Sequence, residues 1–287
     1  MYYSKAIGKI CIAHIEKRIQ DTTNTHSEPG TRLDHKDGLQ TIIDHAISTK
    51  DPTQLSPDLI SERLLITNNV TLHGLTFTLQ NLILNLVSTD PSHGYIETLR
   101  DECRGTLSGA AGKWNLEAVW KLKLLDSAIR ESMRITPFSS MAMARTVIDP
   151  EGITVEQGDS NIIIPHGTLL ALPVERIHMD QDRYQNPYEF NPFRFVSFSS
   201  QDDKKPKDQD YTTTKATTTP DDQFLYFGTT KNPCPGRFFA VYQLKLVMAH
   251  LLLNYDLEYS SKKVNLSDML AMKVPQMDAK LRVRKLD

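Results

Sequence analysis

One long apolar repeat limits what this chain can fold into. From Asp58 to about Ser88, leucines recur at helical spacing, which predicts a single long helix. A polar stripe runs along the same helix in steps of four, three and four residues and consists of Asn69, His73, Thr76 and Gln80. Either this stripe faces solvent, or the helix lies in the core and the stripe lines a cavity.

The rest of the chain shows further helical patterns and a few short strands. Helical spacing covers residues 36–50, 115–134 and the apolar stretch that ends near residue 254. Two apolar runs, 161–165 and 168–172, flank a Pro-His-Gly turn and predict a hairpin with each other. The sequence therefore predicts a mainly α protein with small β-sheets, an α+β fold.

Residues 199–222 read SSQDDKKPKDQDYTTTKATTTPDD, which is charged, rich in Thr and almost free of side chains to bury. Such a composition predicts a disordered or mobile insertion.

The charge balance limits the possible partners. Lys plus Arg number 33 and Asp plus Glu number 35, so the net charge is -2 and no nucleic-acid partner is expected. The first 20 residues lack the apolar core of a signal peptide, and no run in the chain is expected to span a bilayer. The chain alone is expected to have no anchor and to be cytoplasmic or membrane-peripheral.

The three cysteines are too few and too scattered for a disulfide framework, and an intracellular location suits them best. Cys11 and Cys103 lie on amphipathic helical patterns and are expected to be packing residues. Cys234 differs, because it stands in the segment Asn-Pro-Cys-Pro-Gly-Arg directly before a predicted helix.

Prolines on both sides of Cys234 fix the backbone and remove hydrogen-bond donors. Gly236 permits either a backbone conformation closed to other residues or a close approach of the backbone to a ligand. A rigid loop that presents a thiolate suits a soft metal centre, and haem iron accepts a Cys thiolate as its axial ligand. The alternative is a buried structural cysteine at a helix start.

Two charged motifs are less specific when taken alone. Glu131 and Arg134 are three residues apart on a predicted helix and can pair, although such pairs are common on protein surfaces. Arg194 lies between two phenylalanines just after a proline, which makes it a candidate partner for a buried carboxylate.

Taken in order, these motifs resemble the C-terminal part of a cytochrome P450, the haem-thiolate monooxygenase family, and most of all its fungal members. The first is the ExxR pair, the second is HxDxxxYxNPxxFxPFRF at 178–195, and the third is FGTTKNPCPGRFFA at 227–240. The resemblance covers nearly the whole chain, and the 58–88 helix matches the family's central distal helix. It implies the C-terminal portion of the P450 fold, with the N-terminal portion missing and residues 1–287 forming a single truncated domain.

The resemblance assigns roles around the cofactor. Cys234 would be the thiolate ligand of the iron in haem b, next to the cofactor-binding residues Phe227 and Gly236. Arg145, on the strand after the ExxR helix, is similar to the basic residue that reaches a haem propionate. Apolar residues at 138–143 and 272–277 would line the substrate pocket.

The clamp and the distal helix complete these implied roles. Glu131, Arg134 and Arg194 would form a buried charged clamp that holds the fold together. On the distal helix the family usually has an acid or His followed by Thr. Here His73 is present, Gly stands at the Thr position, and Thr76 follows two residues later, so these two side chains are the candidate catalytic residues.

Two substitutions precede the cysteine: Thr230 and Asn232 stand where the family usually has Gly and a His or Arg. The Asn cannot give a propionate a full positive charge. The Thr adds bulk beside the cofactor.

The implied activity is insertion of one oxygen atom from O2 into an apolar small-molecule substrate, with a place in fungal secondary metabolism. Electrons would come from NADPH through NADPH–cytochrome P450 reductase. Full-length relatives are proteins of the endoplasmic reticulum membrane. One alternative is a truncated, non-catalytic remnant that keeps the motifs as scaffold. Another is a haem-responsive regulator with a lone Cys-Pro ligand, which leaves the ExxR pair unexplained.

Overall fold

The structure is a computed structural model that describes residues 2–25, 37–158, 160–198, 211–260, 266–269 and 271–286. The chain forms two compact units, residues 1–74 and residues 75–287. A single domain over 1–287 therefore stays a prediction.

The first unit contains three helices: α1 (Tyr2–Thr25), α2 (Gly38–Ser48) and the first part of α3 (Pro57–Val87), with a 3-10 turn at Pro52–Leu55. Its small core is built on Ile15, Ile43 and Ile60, which are fully buried. Asp37 begins α2 by accepting a hydrogen bond from the Gln40 amide, which satisfies a donor that the helix leaves unpaired.

The second unit holds the main core. Its helices are the rest of α3 followed by α4 (Tyr95–Gly109), α5 (Leu116–Lys121), α6 (Lys123–Ile135), α7 (Val174–His178) and α8 (Arg237–Asn254). Nearly every residue of α6 is buried, which puts this helix at the centre of the unit. Fully buried leucines and methionines of α3, α4, α6 and α8 pack into one apolar cluster.

The single helix predicted over 115–134 is wrong, because the chain leaves the helical conformation at Leu122, where ψ is 84°. Glu102 on α4 explains the break. Its carboxylate accepts hydrogen bonds from the amides of Leu124 at 2.7 Å and Leu125 at 2.9 Å, and so caps the first turn of α6.

The described strands form five two-stranded antiparallel sheets. Their strands are β1 (Ala142–Thr146), β2 (Ile153–Gln157), β3 (Ser160–Ile164), β4 (Leu169–Leu172), β5 (Val196–Phe198), β6 (Tyr211–Thr213), β7 (Tyr255–Leu257), β8 (Leu266–Met269), β9 (Met272–Pro275) and β10 (Val283–Lys285). The pairs are β1 with β4, β2 with β3, β5 with β6, β7 with β10 and β8 with β9. Helices with small sheets confirm the predicted α+β class.

The hairpin predicted around Pro165-His166-Gly167 is wrong in its pairing. The strand before that turn, β3, pairs with β2 across a tight turn at Gly158, whose φ is +58°. The strand after it, β4, pairs with β1. The glycine at 158 was the better hairpin signal, because a two-residue turn of this kind needs positive φ.

The second half of the predicted disordered insertion is folded. Residues 211–213 form β6 against β5, and Thr217 is fully buried. Hydrogen bonds to polar side chains hold this segment, so its low apolar content did not indicate disorder. Residues 199–210 lie outside the described residues.

Among the described residues, α3 is long and apolar enough to cross a membrane, with 33% of its apolar window buried inside the protein. The expectation that no run could span a bilayer does not hold for α3 by length and composition. The core helix of a water-soluble protein meets the same criterion, so no span is assigned.

Candidate functional site

The predicted clamp residues lie together on the inner face of α6. Glu131 and Arg134 are both fully buried. The Arg134 guanidinium donates to the two Glu131 oxygens at 2.8 and 2.9 Å, and Arg194 Nε donates to the same oxygens at 3.0 Å. One carboxylate is thus shared between two guanidinium groups, which is how a buried charge is neutralised.

The two arginines also hold the chain that follows α7. Arg134 Nη1 donates to the carbonyls of His178 at 2.7 Å and Pro187 at 2.8 Å. Arg194 donates to the carbonyls of Gln185 at 2.6 Å and Glu189 at 3.1 Å. The clamp therefore fixes irregular backbone against α6, because these carbonyls have no strand partner to satisfy them.

His178 is a structural residue of the same region. Its Nδ1 lies 3.2 Å from the Arg134 carbonyl, and its Nε2 accepts a hydrogen bond from the Leu225 amide at 2.9 Å. These contacts select the neutral ring with its proton on Nδ1. Burial lowers the pKa of His178 to about 4.

A second charged network, which the sequence did not predict, lies one turn earlier on α6. Asp126 and Lys245 form a buried ion pair at 2.7 Å. Asp126 also accepts hydrogen bonds from the Thr217 amide and hydroxyl at 2.8 and 3.0 Å. Arg130 donates to the Ala216 carbonyl at 2.8 Å. In the sequence, the one lysine within the apolar α8 could have predicted a buried ion pair.

Cys234 lies at the end of a tight loop, named here the cysteine loop (residues 228–236). The loop is closed by a bridge between Gly228 and Pro233. The Cys234 amide donates to the Phe227 carbonyl at 2.7 Å, and α8 begins three residues after the cysteine. Cys234 is exposed, so it is not the buried structural cysteine of the alternative interpretation.

The two glycines of the loop differ in backbone conformation. Gly236 has φ of -81°, which any residue can adopt, but an added Cβ would lie 3.9 Å from the Cys234 sulfur. Gly228 has φ of +90°, and an added Cβ would lie 2.6 Å from the Asn232 carbonyl oxygen. Gly236 therefore needs no special backbone conformation, and the conformational requirement in the loop falls on Gly228.

The remaining predicted residues lie on α3, on β1 and just before the cysteine loop. His73 is exposed on α3 in the first unit, and Thr76 is exposed on α3 in the second. Arg145 is exposed on β1 and donates to the Ala144 carbonyl. Phe227 is 7% exposed and precedes the cysteine loop.

The two segments predicted to line a substrate pocket do meet. The amide of Lys273 donates to the Phe138 carbonyl at 2.9 Å, and Ser139 bridges Met272. The Phe138 ring lies 6.1 Å from the Phe77 ring of α3. Helix α3, residues 138–143 and the β8–β9 hairpin are thus neighbours.

The available ligand side chains suit a metal that is held inside a cofactor. No group of three His, Cys, Asp or Glu side chains that could hold a metal ion forms among the described residues. The cysteine loop instead offers one exposed thiol, and a haem iron needs one protein ligand of this kind. The residues present therefore fit a haem held through a single thiolate.

The amino-acid sequence matches the family model "Cytochrome P450" over residues 3–281. The chain belongs to the cytochrome P450 family. It is similar to cytochrome P450 monooxygenase okaG of Penicillium ochrochloron, with 36% identity over 291 residues, 95% of this chain and 53% of the relative. It is also similar to cytochrome P450 monooxygenase gloP of Glarea lozoyensis, with 32% identity over 292 residues, 96% of this chain and 52% of the relative.

The chain spans about half the length of these curated P450 relatives and so forms a partial P450 fold. Both relatives carry the name of cytochrome P450 monooxygenases. The P450 family implies haem, a small-molecule substrate, O2 and a redox partner.

Proposed function

We propose that this chain supplies the thiolate ligand of a P450 monooxygenase that oxidises an apolar small molecule of fungal secondary metabolism. The observation that carries the proposal is the exposed Cys234, held at the end of a closed loop before α8. Haem b bound through a thiolate would supply the activation of O2 that insertion of one oxygen atom requires.

The cysteine loop would orient the ligand. The hydrogen bond from the Cys234 amide to the Phe227 carbonyl fixes the backbone that carries the sulfur. The absence of a side chain at Gly236 keeps the space next to the sulfur open. Arg145, exposed on β1, is the proposed partner of a propionate.

The apolar substrate would lie where residues 138–143 and the β8–β9 hairpin meet α3. The rings of Phe77 and Phe138 make this region aromatic, and the side chain of Met141, three residues after Phe138, is 50% exposed. Gln80 donates to the Gln276 carbonyl at 2.6 Å and so ties α3 to the chain after β9. His73 and Thr76, on the polar stripe of α3, are the proposed proton carriers.

The proposed electron source is NADPH through NADPH–cytochrome P450 reductase, and the proposed location of the whole protein is the endoplasmic reticulum membrane. Family membership supports a redox partner in general terms. Activity is proposed for the whole protein, because this chain covers about half of its relatives. Exposed apolar side chains on α3, such as Val70 at 70% and Leu72 at 63%, support the need for further cover.

The test is a CO-difference spectrum of the chain after haem reconstitution, with a turnover assay in the presence of NADPH and reductase. We expect Cys234→Ser to abolish the thiolate signature. Cys11→Ser is the matched control and should leave it unchanged. A thiolate signature that survives Cys234→Ser would overturn the assignment.

The second candidate is a non-catalytic remnant that keeps the family motifs as scaffold. The clamp is compatible with this alternative, since Glu131, Arg134 and Arg194 pair with one another inside the chain. Failure of the wild-type chain to take up haem, with a cooperative unfolding transition, would support the remnant. Haem uptake with reductase-dependent product formation would exclude it.

A further inference from the structure

The buried pair of Asp126 and Lys245 has a connection that reaches the cysteine loop. Asp126 is 3% exposed and Lys245 is 1% exposed, and the pair lies between α6 and α8. The carboxylate oxygen that does not contact Lys245, Oδ2, accepts hydrogen bonds from the amide and the hydroxyl of Thr217. That hydroxyl also lies 2.7 Å from the Asp126 carbonyl oxygen. Thr217 is fully buried and is therefore held in one position.

The next residue along the chain carries the connection outward. Arg237 Nε donates to the Thr218 carbonyl at 3.0 Å. Arg237 Nη1 donates to the Cys234 carbonyl at 2.9 Å. Arg237 is thus the link between the segment that Asp126 holds and the residue that carries the thiol.

We infer that Asp126 is a positioning residue for Cys234, acting through Thr217, Thr218 and Arg237. Cys234 is exposed, and its amide bonds the Phe227 carbonyl. Its carbonyl is held by Arg237, whose other bond, to the Thr218 carbonyl, depends on an anchor in the core. Asp126 provides that anchor because it is buried, charged and bonded to the backbone of the adjoining segment. The catalytic meaning of this inference rests on the proposed function, but the positioning itself does not require haem.

The ion pair with Lys245 serves a separate purpose. Lys245 neutralises the buried carboxylate, and its ammonium also lies 5.1 Å from the Trp120 ring. An uncharged acceptor at position 126 that still bonds the Thr217 amide should therefore preserve the loop, provided that the lysine charge is removed as well.

Hydrogen exchange of the full chain, measured by mass spectrometry without haem, tests the inference. Pro233 and Pro235 have no amide hydrogen, so a peptide covering the loop end reports mainly on the amides of Cys234 and Gly236. Arg237→Gln should accelerate this exchange roughly threefold to tenfold, the effect of losing one or two net hydrogen bonds.

Two double variants separate the bond from the charge. Asp126→Leu with Lys245→Met removes both, and we expect the same acceleration at the loop as for Arg237→Gln. Asp126→Asn with Lys245→Met keeps an acceptor for Thr217, and we expect exchange within about twofold of the wild type. Asp101→Asn with Arg104→Gln neutralises an exposed pair, is the charge-matched control for both double variants, and should change nothing.

Exchange in α4 shows whether a variant opens the whole unit. The inference is overturned if Arg237→Gln leaves the loop peptide unchanged. It is also overturned if the leucine and asparagine double variants exchange alike at the loop. Because no haem is present, these outcomes are independent of whether the chain proves to be a monooxygenase.

Discussion

The clamp and the cysteine loop differ in how far their side chains are buried. In the clamp, Glu131 and Arg134 are fully buried and their partners lie within the chain. In the cysteine loop, Cys234 is exposed, and Phe238 and Phe239 just after it are 49% and 56% exposed. The charged groups of the clamp are paired within the chain, whereas the thiol and the two rings at the loop are exposed.

The difference separates stability from ligand binding within one chain. Substitutions in the clamp should unfold the second unit, and substitutions in the loop should change thiol chemistry while the unit stays folded. The following experiments test this separation.

The largest effect is expected from Arg134→Ala. The substitution removes one of the two guanidinium groups that neutralise the Glu131 carboxylate, and it leaves two backbone carbonyls without this hydrogen-bond donor. We expect the free energy of unfolding to fall by about 3–5 kcal/mol. Urea unfolding followed by circular dichroism measures it. Arg183→Ala is the control, because its pair with Asp180 is partly exposed and should contribute less than about 1 kcal/mol. Equal losses of unfolding free energy in the two variants would contradict the idea that the clamp stabilises the fold more than a surface ion pair does.

Acid should destabilise the clamp side through His178. Its pKa is about 4 in the folded protein against an ordinary value of 6.5, so below pH 6.5 the unfolded chain binds a proton that the folded chain does not. Unfolding free energy should fall by about 3 kcal/mol between pH 6.5 and 4. His178→Asn, which removes the titrating group, should flatten this part of the profile. An unchanged profile in that variant would assign the acid loss to other groups.

Thiol labelling should distinguish the loop from the core. Burial raises the pKa of Cys103 to about 12, whereas Cys234 is exposed. Iodoacetamide at pH 8 should modify Cys234 at least about a hundredfold faster than Cys103 in the folded chain, because the thiolate is the reacting form. In concentrated urea the two should react alike. Slow labelling of Cys234 in the native chain would mean that the loop is covered.

The smallest effects come from two glycines. Gly228→Ala forces a side chain into positive φ and against the Asn232 carbonyl, and we expect a loss of about 2 kcal/mol with faster exchange at the cysteine loop. Gly74→Ala is the matched substitution inside α3, where nothing lies within 4 Å of the added Cβ. It should stabilise the helix by about 1 kcal/mol. Thermal unfolding compares the two, and a stabilising Gly228→Ala would contradict the geometry of the loop.

Much of this arrangement was predictable where one rule dominates. The apolar spacing from residue 58 to 88 predicted α3 almost to its ends, because nothing interrupts it. The clustering of Arg194 with Glu131 followed from the need to neutralise charge on a buried helix.

What escaped prediction depended on distant partners. The break before α6 is set by Glu102, which reaches the helix start from α4. The order in residues 211–222 comes from Asp126 and Arg130, whose bonds to Thr217 and Ala216 replace apolar burial. Gly228 was missed in favour of Gly236, since a positive φ depends on how the loop closes.

Helix α6 carries both charged networks, and this has a consequence for insertions and deletions in the gene. Asp126 and Glu131 face separate partners from one helix. Each added or lost residue turns the rest of a helix by about 100°. A one-codon insertion or deletion between them would rotate Asp126 and Glu131 relative to each other. If one of the two residues kept its partners, the other would face away from its own. The codons of α6 should therefore keep their number in descendants of this gene.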